Sequence, residues 1–157
     1  MKKEIESKDV ALDTKLSKLR RFNLIMGFLH LVQSIFMVII TLVVDTPGET
    51  YPVYSNYLTF NRDLGGLVAN PQQIWDAPLG IGIALFLLIS AVAHFFLATF
   101  GYKWYVKSLK QGMNPVRFYE YALSSSLMIV LIGLLVGIND IGAIILAFFV
   151  NASMNLF

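Results

Sequence analysis

The chain has 157 residues, of which 57% are hydrophobic and 14% charged, and its mean hydropathy is +0.68. Soluble domains carry about a quarter charged residues, so this composition excludes an ordinary soluble domain and predicts a single integral membrane domain. The small net charge of +2, with clustered basic residues, argues against nucleic-acid binding, and the absence of cysteine excludes disulfides, thiol catalysis and cysteine metal sites.

Four apolar stretches follow a charged N-terminal tail, residues 1–21, and predict membrane-spanning helices at 22–44, 79–101, 115–136 and 141–157. A helix needs about 20 apolar residues to cross the hydrocarbon core, and the fourth stretch, with 17 residues, only approaches that length. The first stretch is too long for a cleaved secretory signal. The tail has no clear apolar stripe, which is typical of a solvated tail or a frayed helix. The predicted fold class is an all-α integral membrane bundle of four transmembrane helices.

Lysine and arginine are distributed unequally among the predicted loops. Of the 12 residues, 11 lie in the tail or between helices 2 and 3, and only Arg62 lies in the first loop. Loops rich in these residues stay in the cytoplasm. The distribution therefore predicts a multi-pass protein of the cell membrane with a cytoplasmic N-terminus and an outer loop at 45–76.

The outer loop is long for a tight connection. Its segment Thr50–Phe60 is rich in tyrosine, valine and threonine, and Tyr51, Val53 and Ser55 occupy alternate positions. This pattern leaves a short strand or hairpin and an irregular aromatic loop equally open.

Three titratable residues lie inside the predicted spans, namely His30, His94 and Glu120. Burying an ionisable group in a bilayer costs free energy, so such a residue indicates a functional or structural role. With Asn114 as N-cap and Pro115 as the first residue of helix 3, all three lie roughly 8–12 Å below the cytoplasmic helix ends at about 1.5 Å per residue. Their common depth favours a functional cluster.

Polar neighbours recur at helical spacing on all four helices. They are Asn23, Gln33, Ser34 and Thr41 on helix 1, Ser90 on helix 2, Tyr121, Ser124, Ser125 and Ser126 on helix 3, and Asn151 and Asn155 on helix 4. The alternatives stay open: each histidine is a hydrogen-bonded packing residue, the serines only permit close helix packing, or Glu120 pairs with Arg117.

Other motifs are weak. Gly80-Ile81-Gly82 follows no strand, so it does not predict a nucleotide loop. No set of nucleophile, base and acid is visible, and we predict no enzyme activity. Two histidines and a glutamate are able to ligate a metal, but their spacing on three helices does not require one and predicts no metal site.

Residues 27–33 read GFLHLVQ, residues 120–126 read EYALSSS and residues 151–154 read NASM. With these runs the chain resembles heliorhodopsins over roughly residues 20 to 157. The cytoplasmic N-terminus, inferred from charge alone, agrees with the inverted topology of that family.

The resemblance implies that retinal is the cofactor and that Glu120 is the counterion of its protonated Schiff base. It implies that four further residues line or approach retinal: Ser124, Met128, Asn151 and Met154. The implied polar network on the cytoplasmic side comprises Asn23, His30, Gln33, His94, Asn114 and Tyr121. The outer loop is implied to form a hairpin that, with helix 4, makes a homodimer contact.

One feature departs from the family, whose seventh helix carries the Schiff-base lysine. All eight lysines here lie in the tail or between helices 2 and 3. We therefore expect a partial chain that cannot bind retinal covalently by itself. The spans hold no carboxylate in their outer half until Asp45, Asp76 and Asp140 at the boundary, which favours light sensing or regulation, through an unidentified signalling partner, over ion pumping.

Two alternatives remain at this stage. The first is a non-photoactive four-helix scaffold or interaction subunit. The second is a small proton or metal-ion transporter that uses His30, His94 and Glu120.

Overall fold

The computed structural model describes residues 2–44 and 50–157, with side chains from Thr14 onward. In this part of the chain the elements are α1 (Lys2–Val43), β1 (Thr50–Ser55), β2 (Leu58–Asn61), β3 (Gly66–Ala69), β4 (Gln72–Pro78), α2 (Leu79–Ala98), α3 (Tyr102–Lys110), α4 (Pro115–Leu135) and α5 (Ile141–Leu156). The start of the predicted outer loop, residues 45–49, lies outside the described residues.

Three described helices are long and apolar enough to cross a membrane: the segment Thr14–Val43 of α1, and the whole of α2 and α4. The apolar α5 has 16 residues and is shorter. All four predicted helices are present, and the ends of the last three differ from the prediction by at most three residues. The protein is an all-α membrane protein with a β-ribbon inserted between its first two spans.

The predicted boundary at residue 22 is not a structural boundary, because α1 is continuous from Lys2. The segment before the apolar run contains no proline or glycine and several lysines and glutamates, which are good helix formers. Once the apolar part is helical, such residues extend the helix at little cost. The connection between helices 2 and 3 is likewise not a plain loop, since it contains α3.

The outer loop forms a long antiparallel ribbon. Strand β1 pairs with β4 from Thr50–Pro78 to Ser55–Gln72, with an irregularity between Val53 and Tyr54. Strand β2 pairs with β3, and the turn between them contains Gly65 at a φ of 62°, a conformation that favours glycine. The strand alternative is therefore confirmed for this segment, but a short hairpin within it is not, because β1 and β2 pair with β4 and β3 rather than with each other. The segment Thr50–Phe60 supplies one arm of a longer ribbon.

The base of the ribbon packs on the ends of α4 and α5. Val53, Ala77 and Leu134 are each at most 4% exposed and form one apolar cluster. The amide of Tyr54 donates to the carbonyl of Asn139 at 2.8 Å. These contacts fix the ribbon to the helical bundle rather than leaving it as a free loop.

Asp140 joins the same contact as the N-cap of α5. One carboxylate oxygen accepts from the Ala143 amide at 3.0 Å, and the other accepts from Nδ2 of Asn56 at 2.8 Å. The Ala143 amide, followed by the Asn56 side chain, holds the pKa of Asp140 below its ordinary value because both donors stabilise the carboxylate.

Two glycines of α2 permit close helix contacts. A Cβ on Gly80 would overlap the side chain of Thr41 on α1, and a Cβ on Gly82 would overlap Leu131 on α4. Small residues at helix crossings are typical of membrane bundles. The prediction that no strand precedes the Gly80-Ile81-Gly82 motif is wrong, because β4 ends at Pro78 directly before α2. The motif nevertheless serves helix packing, since its two glycines face α1 and α4.

Candidate functional site

A cavity of about 350 Å³ lies between α1, α2 and α4, at the end of the bundle that carries Arg117. We call it the basic-end cavity. Its wall includes His30, His94 and Glu120, the three titratable residues that counting along the helices placed at one depth. The structure thus brings these three side chains around one space, although they come from three different helices.

The two histidines form a stacked pair. Their ring centroids are 5.6 Å apart and their planes differ by 19°. Nδ1 of His94 donates to Oδ1 of Asn23 at 3.0 Å, and Nδ1 of His30 donates to Oε1 of Gln33 at 3.1 Å. Because an amide oxygen only accepts, each Nδ1 carries the proton and each Nε2 is left able to accept another. The two amides thus orient the rings, and a neutral ring held in this way would keep Nε2 as its hydrogen-bond acceptor.

The carboxylate of Glu120 is held by neutral donors. Oγ of Ser90 donates to Oε1 at 2.8 Å, and Oγ of Ser124 donates to the same oxygen at 3.3 Å. The described part of the chain provides no hydrogen bond to Oε2. Glu120 is therefore positioned from two helices while one of its oxygens is left for a further partner.

The alternative ion pair between Arg117 and Glu120 is not formed. The guanidinium of Arg117 lies over the ring of Tyr121, with its Cζ 4.9 Å from the ring centroid. Arg117 is solvent-exposed in this structure, so its charge keeps contact with the surroundings. A cation stacked on an aromatic ring and open to water gains little from turning toward a half-buried carboxylate.

Two buried polar atoms of the cavity wall have no hydrogen-bond partner among the described residues. They are Nδ2 of Asn23, a residue only 4% exposed, and Oδ1 of Asn114. Asn114 occupies the N-cap position of α4 as predicted, but its side chain makes no capping hydrogen bond. An unpartnered buried polar atom costs about 1–3 kcal/mol, and such atoms are typical of sites that take up water or another polar group.

A second, shallower groove of about 260 Å³ lies on the other side of Glu120. Its lining includes Ser124 and Met128, two of the residues that the resemblance assigned to retinal, together with Phe86 and Tyr121. Glu120 lines both spaces and therefore connects the groove to the basic-end cavity.

The remaining predicted retinal contacts are not in this groove. Nδ2 of Asn151 donates to Ser125 at 2.7 Å and to Ser126 at 3.1 Å, which binds α5 to α4. Met154 is 76% exposed and lies away from Glu120 in the described structure. Within these 157 residues, Asn151 has a packing contact and Met154 has none with the site.

Two residues of the site were not in the set that the resemblance implied. Ser90, predicted only as a polar neighbour one turn before His94, contacts Glu120 directly. Tyr105 reaches the cavity from α3 and packs with Leu97 and Val116. It was missed because α3 itself was not predicted, although residues 102–110 alternate apolar and basic residues at helical spacing.

The described residues contain no group of three or more histidine, aspartate or glutamate side chains arranged to hold a metal ion. His30, His94 and Glu120 share a cavity without converging on one point.

The comparison with protein families gives a match. The sequence profile of the family described as Heliorhodopsin matches residues 19–157, which include the apolar part of α1 and every later element. A search of curated proteins found no match.

Proposed function

This chain belongs to the heliorhodopsin family, and we propose that it supplies the counterion side of a retinal site used for light sensing or regulation. Membership makes it part of a family of rhodopsin-like retinal proteins. The observation that carries the finer proposal is the setting of Glu120, a carboxylate that is held by two serines and has no cation partner in the described residues.

The residues present fit such a role. Retinal bound through a lysine supplies a positively charged Schiff base whose light absorption depends on nearby negative charge. Glu120 would face that charge with Oε2, while Ser90 and Ser124 hold Oε1. Met128 and Phe86 would provide apolar contact in the groove beside it. A buried cation requires a nearby opposite charge, and Glu120 is the only carboxylate in α2, α4, α5 or the apolar part of α1.

The lysine for this bond comes, in this proposal, from outside these 157 residues. None of the eight lysines lies in the apolar part of a helix, since all are in residues 2–18 or in α3. Purified chain mixed with retinal is therefore expected to stay unlabelled after borohydride reduction. Specific labelling of one lysine would contradict this part of the proposal.

Sensing is favoured over pumping by the one-sided placement of proton acceptors. The His30–His94 pair lines the basic-end cavity together with Glu120. Toward the ribbon, α4 ends in the apolar cluster of Leu134, Val53 and Ala77. A pump needs proton carriers on both sides of its switch. A proton released near Glu120 would move to the histidines and return, which is the behaviour of a sensor.

The decisive experiment is a charge-removing substitution in an assembled pigment. The chain would be co-expressed with the lysine-bearing helices of a heliorhodopsin and supplied with all-trans-retinal. In Glu120→Gln we expect the pH at which visible absorption is lost to fall by about one to three units, because an attractive charge close to the cation is gone. The absorption maximum should shift as well.

The matched control is Asp140→Asn, which makes the same change from acid to amide at the opposite end of the bundle. Its titration should coincide with that of the parent. The measurements are made with and without chloride, since an external anion is able to replace the missing carboxylate. If Glu120→Gln leaves the colour and the titration unchanged without chloride, Glu120 is not the counterion.

We also propose that the N-terminus is cytoplasmic in the cell membrane and that the ribbon with α5 forms a homodimer contact. The chain has no cysteine, so single cysteines report its orientation cleanly. Thr59→Cys in the ribbon should react with an impermeant maleimide on intact cells, and Lys107→Cys in α3 should react only after lysis. Both positions are exposed, and the opposite pattern would reverse the proposed orientation.

A further inference from the structure

The end of the bundle that contains α3 has a strong excess of positive charge. Residues 14–21 and 102–117 contain no aspartate or glutamate and eight basic residues, namely Lys15, Lys18, Arg20, Arg21, Lys103, Lys107, Lys110 and Arg117. The ribbon, residues 50–78, contains one basic residue and two aspartates. The basic end therefore attracts anions much more strongly than the ribbon end.

Helix α3 presents its lysines away from the bundle. Tyr105 and Ser108 are buried at 5% and 6% exposure, so they mark its inner face. At 3.6 residues per turn, Lys103, Lys107 and Lys110 fall within about 60° of one another, opposite that face, and all three are exposed. The helix is thus a short amphipathic element with a continuous lysine stripe.

Arg20 fixes α3 at the level where the apolar part of α2 ends. Its Nε donates to the carbonyl of Ala98 at 2.8 Å, and its guanidinium lies 4.8 Å from the ring centroid of Tyr102. Phe100, between the two helices, is 94% exposed, and Trp104 is 45% exposed. Exposed aromatic side chains at the end of a span are typical of the membrane interface.

A groove of about 400 Å³ separates α3 from the basic segment of α1. It is lined by Lys103 and Lys110 together with Leu16 and Val106. This combination suits a molecule that is anionic at one end and apolar beside it. Inorganic phosphate would use the lysines alone, whereas a phospholipid would use both kinds of surface.

We propose that α3 and the facing segment of α1 bind the headgroup of an anionic phospholipid. The phosphate contacts Lys103 and Lys110, while the glycerol and the first acyl carbons contact Leu16 and Val106. Basic residues beside a membrane surface attract anionic lipids cumulatively. This site uses none of the residues around Glu120, so it stands whether or not the chain binds retinal.

The two tryptophans allow a direct test, because Trp104 lies on α3 and Trp75 lies in the ribbon. The full chain with Trp75→Phe is reconstituted in phosphatidylcholine vesicles that contain about one-tenth phosphatidylglycerol. The acyl bromine quencher is carried either by phosphatidylglycerol or by the same fraction of phosphatidylcholine. Brominated phosphatidylglycerol should quench Trp104 about threefold more strongly, because the lysines enrich it locally.

Three controls decide the outcome. The triple change Lys103→Gln, Lys107→Gln and Lys110→Gln should bring the quenching ratio to about one, while the corresponding three arginine substitutions should keep the preference. Trp104→Phe, which leaves only Trp75, should show no preference for the anionic lipid. If the glutamine variant does not insert into vesicles, the proposal is tested on the parent protein with added salt. Sodium chloride at 1 M should reduce the parent's preference for the anionic lipid through charge screening.

Two results would overturn the proposal. One is equal quenching of Trp104 by the two brominated lipids at low salt. The other is a preference that inorganic phosphate removes while chloride of equal ionic strength does not, because the site would then bind free phosphate rather than lipid.

Discussion

The two ends of this bundle are built differently. At the ribbon end, Val53, Ala77 and Leu134 pack tightly, and Asp140 accepts hydrogen bonds at both carboxylate oxygens. At the basic end, a cavity of about 350 Å³ separates the helices, and polar atoms of Asn23 and Asn114 have no partner in the described part of the chain. The contacts at the ribbon end stabilise the fold, whereas the basic end has polar atoms that are able to hydrogen-bond a further group.

The difference shows where to look for function in a membrane bundle. Nearly all buried polar groups in proteins are hydrogen-bonded. An unpaired one destabilises the fold, so it is expected mainly at functional sites. The Asn151 contacts between α4 and α5 are polar too, but their donors are satisfied by serines. Polarity alone therefore does not mark a site; polarity beside a cavity with unsatisfied atoms does.

The largest effect is expected at the ribbon end. Leu134→Ala should lower the free energy of unfolding by about 2–5 kcal/mol, because it empties a buried position beneath the ribbon. Leu135→Ala is the matched control, since Leu135 is 53% exposed, and it should change little. Equilibrium unfolding in mixed detergent micelles measures both. Equal losses would mean that the ribbon contact does not stabilise the bundle.

A smaller effect that concerns activity alone is expected at the basic end. His94→Phe in an assembled pigment removes a proton acceptor but leaves Glu120, so the resting colour should change little. The proton-transfer phase after a flash should slow by about tenfold, with His30 retained as a partial substitute. Leu88→Phe, on the exposed side of α2, is the control. Unaltered kinetics in His94→Phe would remove the histidine pair from the proposed proton path.

The Asp140 contact predicts a pH dependence that belongs to the ribbon end. Its pKa is lowered in the folded protein, so the carboxylate stabilises folding above the ordinary aspartate value of 3.8, and this contribution is lost as the pH falls below it. The difference in thermal stability between the parent and Asp140→Asn should shrink as the pH is lowered from 6 to about 3. A difference that stays constant with pH would show that the charge of Asp140 does not contribute.

The smallest effect tests the unsatisfied atom directly. Asn114→Ala should change the free energy of unfolding by less than about 0.5 kcal/mol, although an N-cap substitution typically costs about 1 kcal/mol. The reason is that Asn114 makes no capping hydrogen bond and its Oδ1 has no partner in the described structure. A loss above about 1 kcal/mol would show that a bound water or another group satisfies Asn114.

Much of the architecture follows from the sequence because the bilayer restricts the choices. Runs such as 79–98 are helical since a spanning segment has to satisfy its backbone internally. The common depth of His30, His94 and Glu120 also follows from counting, because a helix advances by a constant rise per residue. The ribbon was harder to predict from the sequence, because the alternation around Val53 is short and the strand that pairs with β1, β4, is distant in the chain.

Tertiary structure alone decided how the site is assembled. Counting gives the depth of a side chain but not the rotation of its helix, so packing between helices, including that at Gly80 and Gly82, sets which faces meet. That packing stacks His30 on His94. It also lets Ser90 on α2 donate a hydrogen bond to Glu120, while Arg117, on the same helix as Glu120, contacts Tyr121 instead. A sequence determines which groups are present and how deep they lie; contacts between helices determine which of them touch.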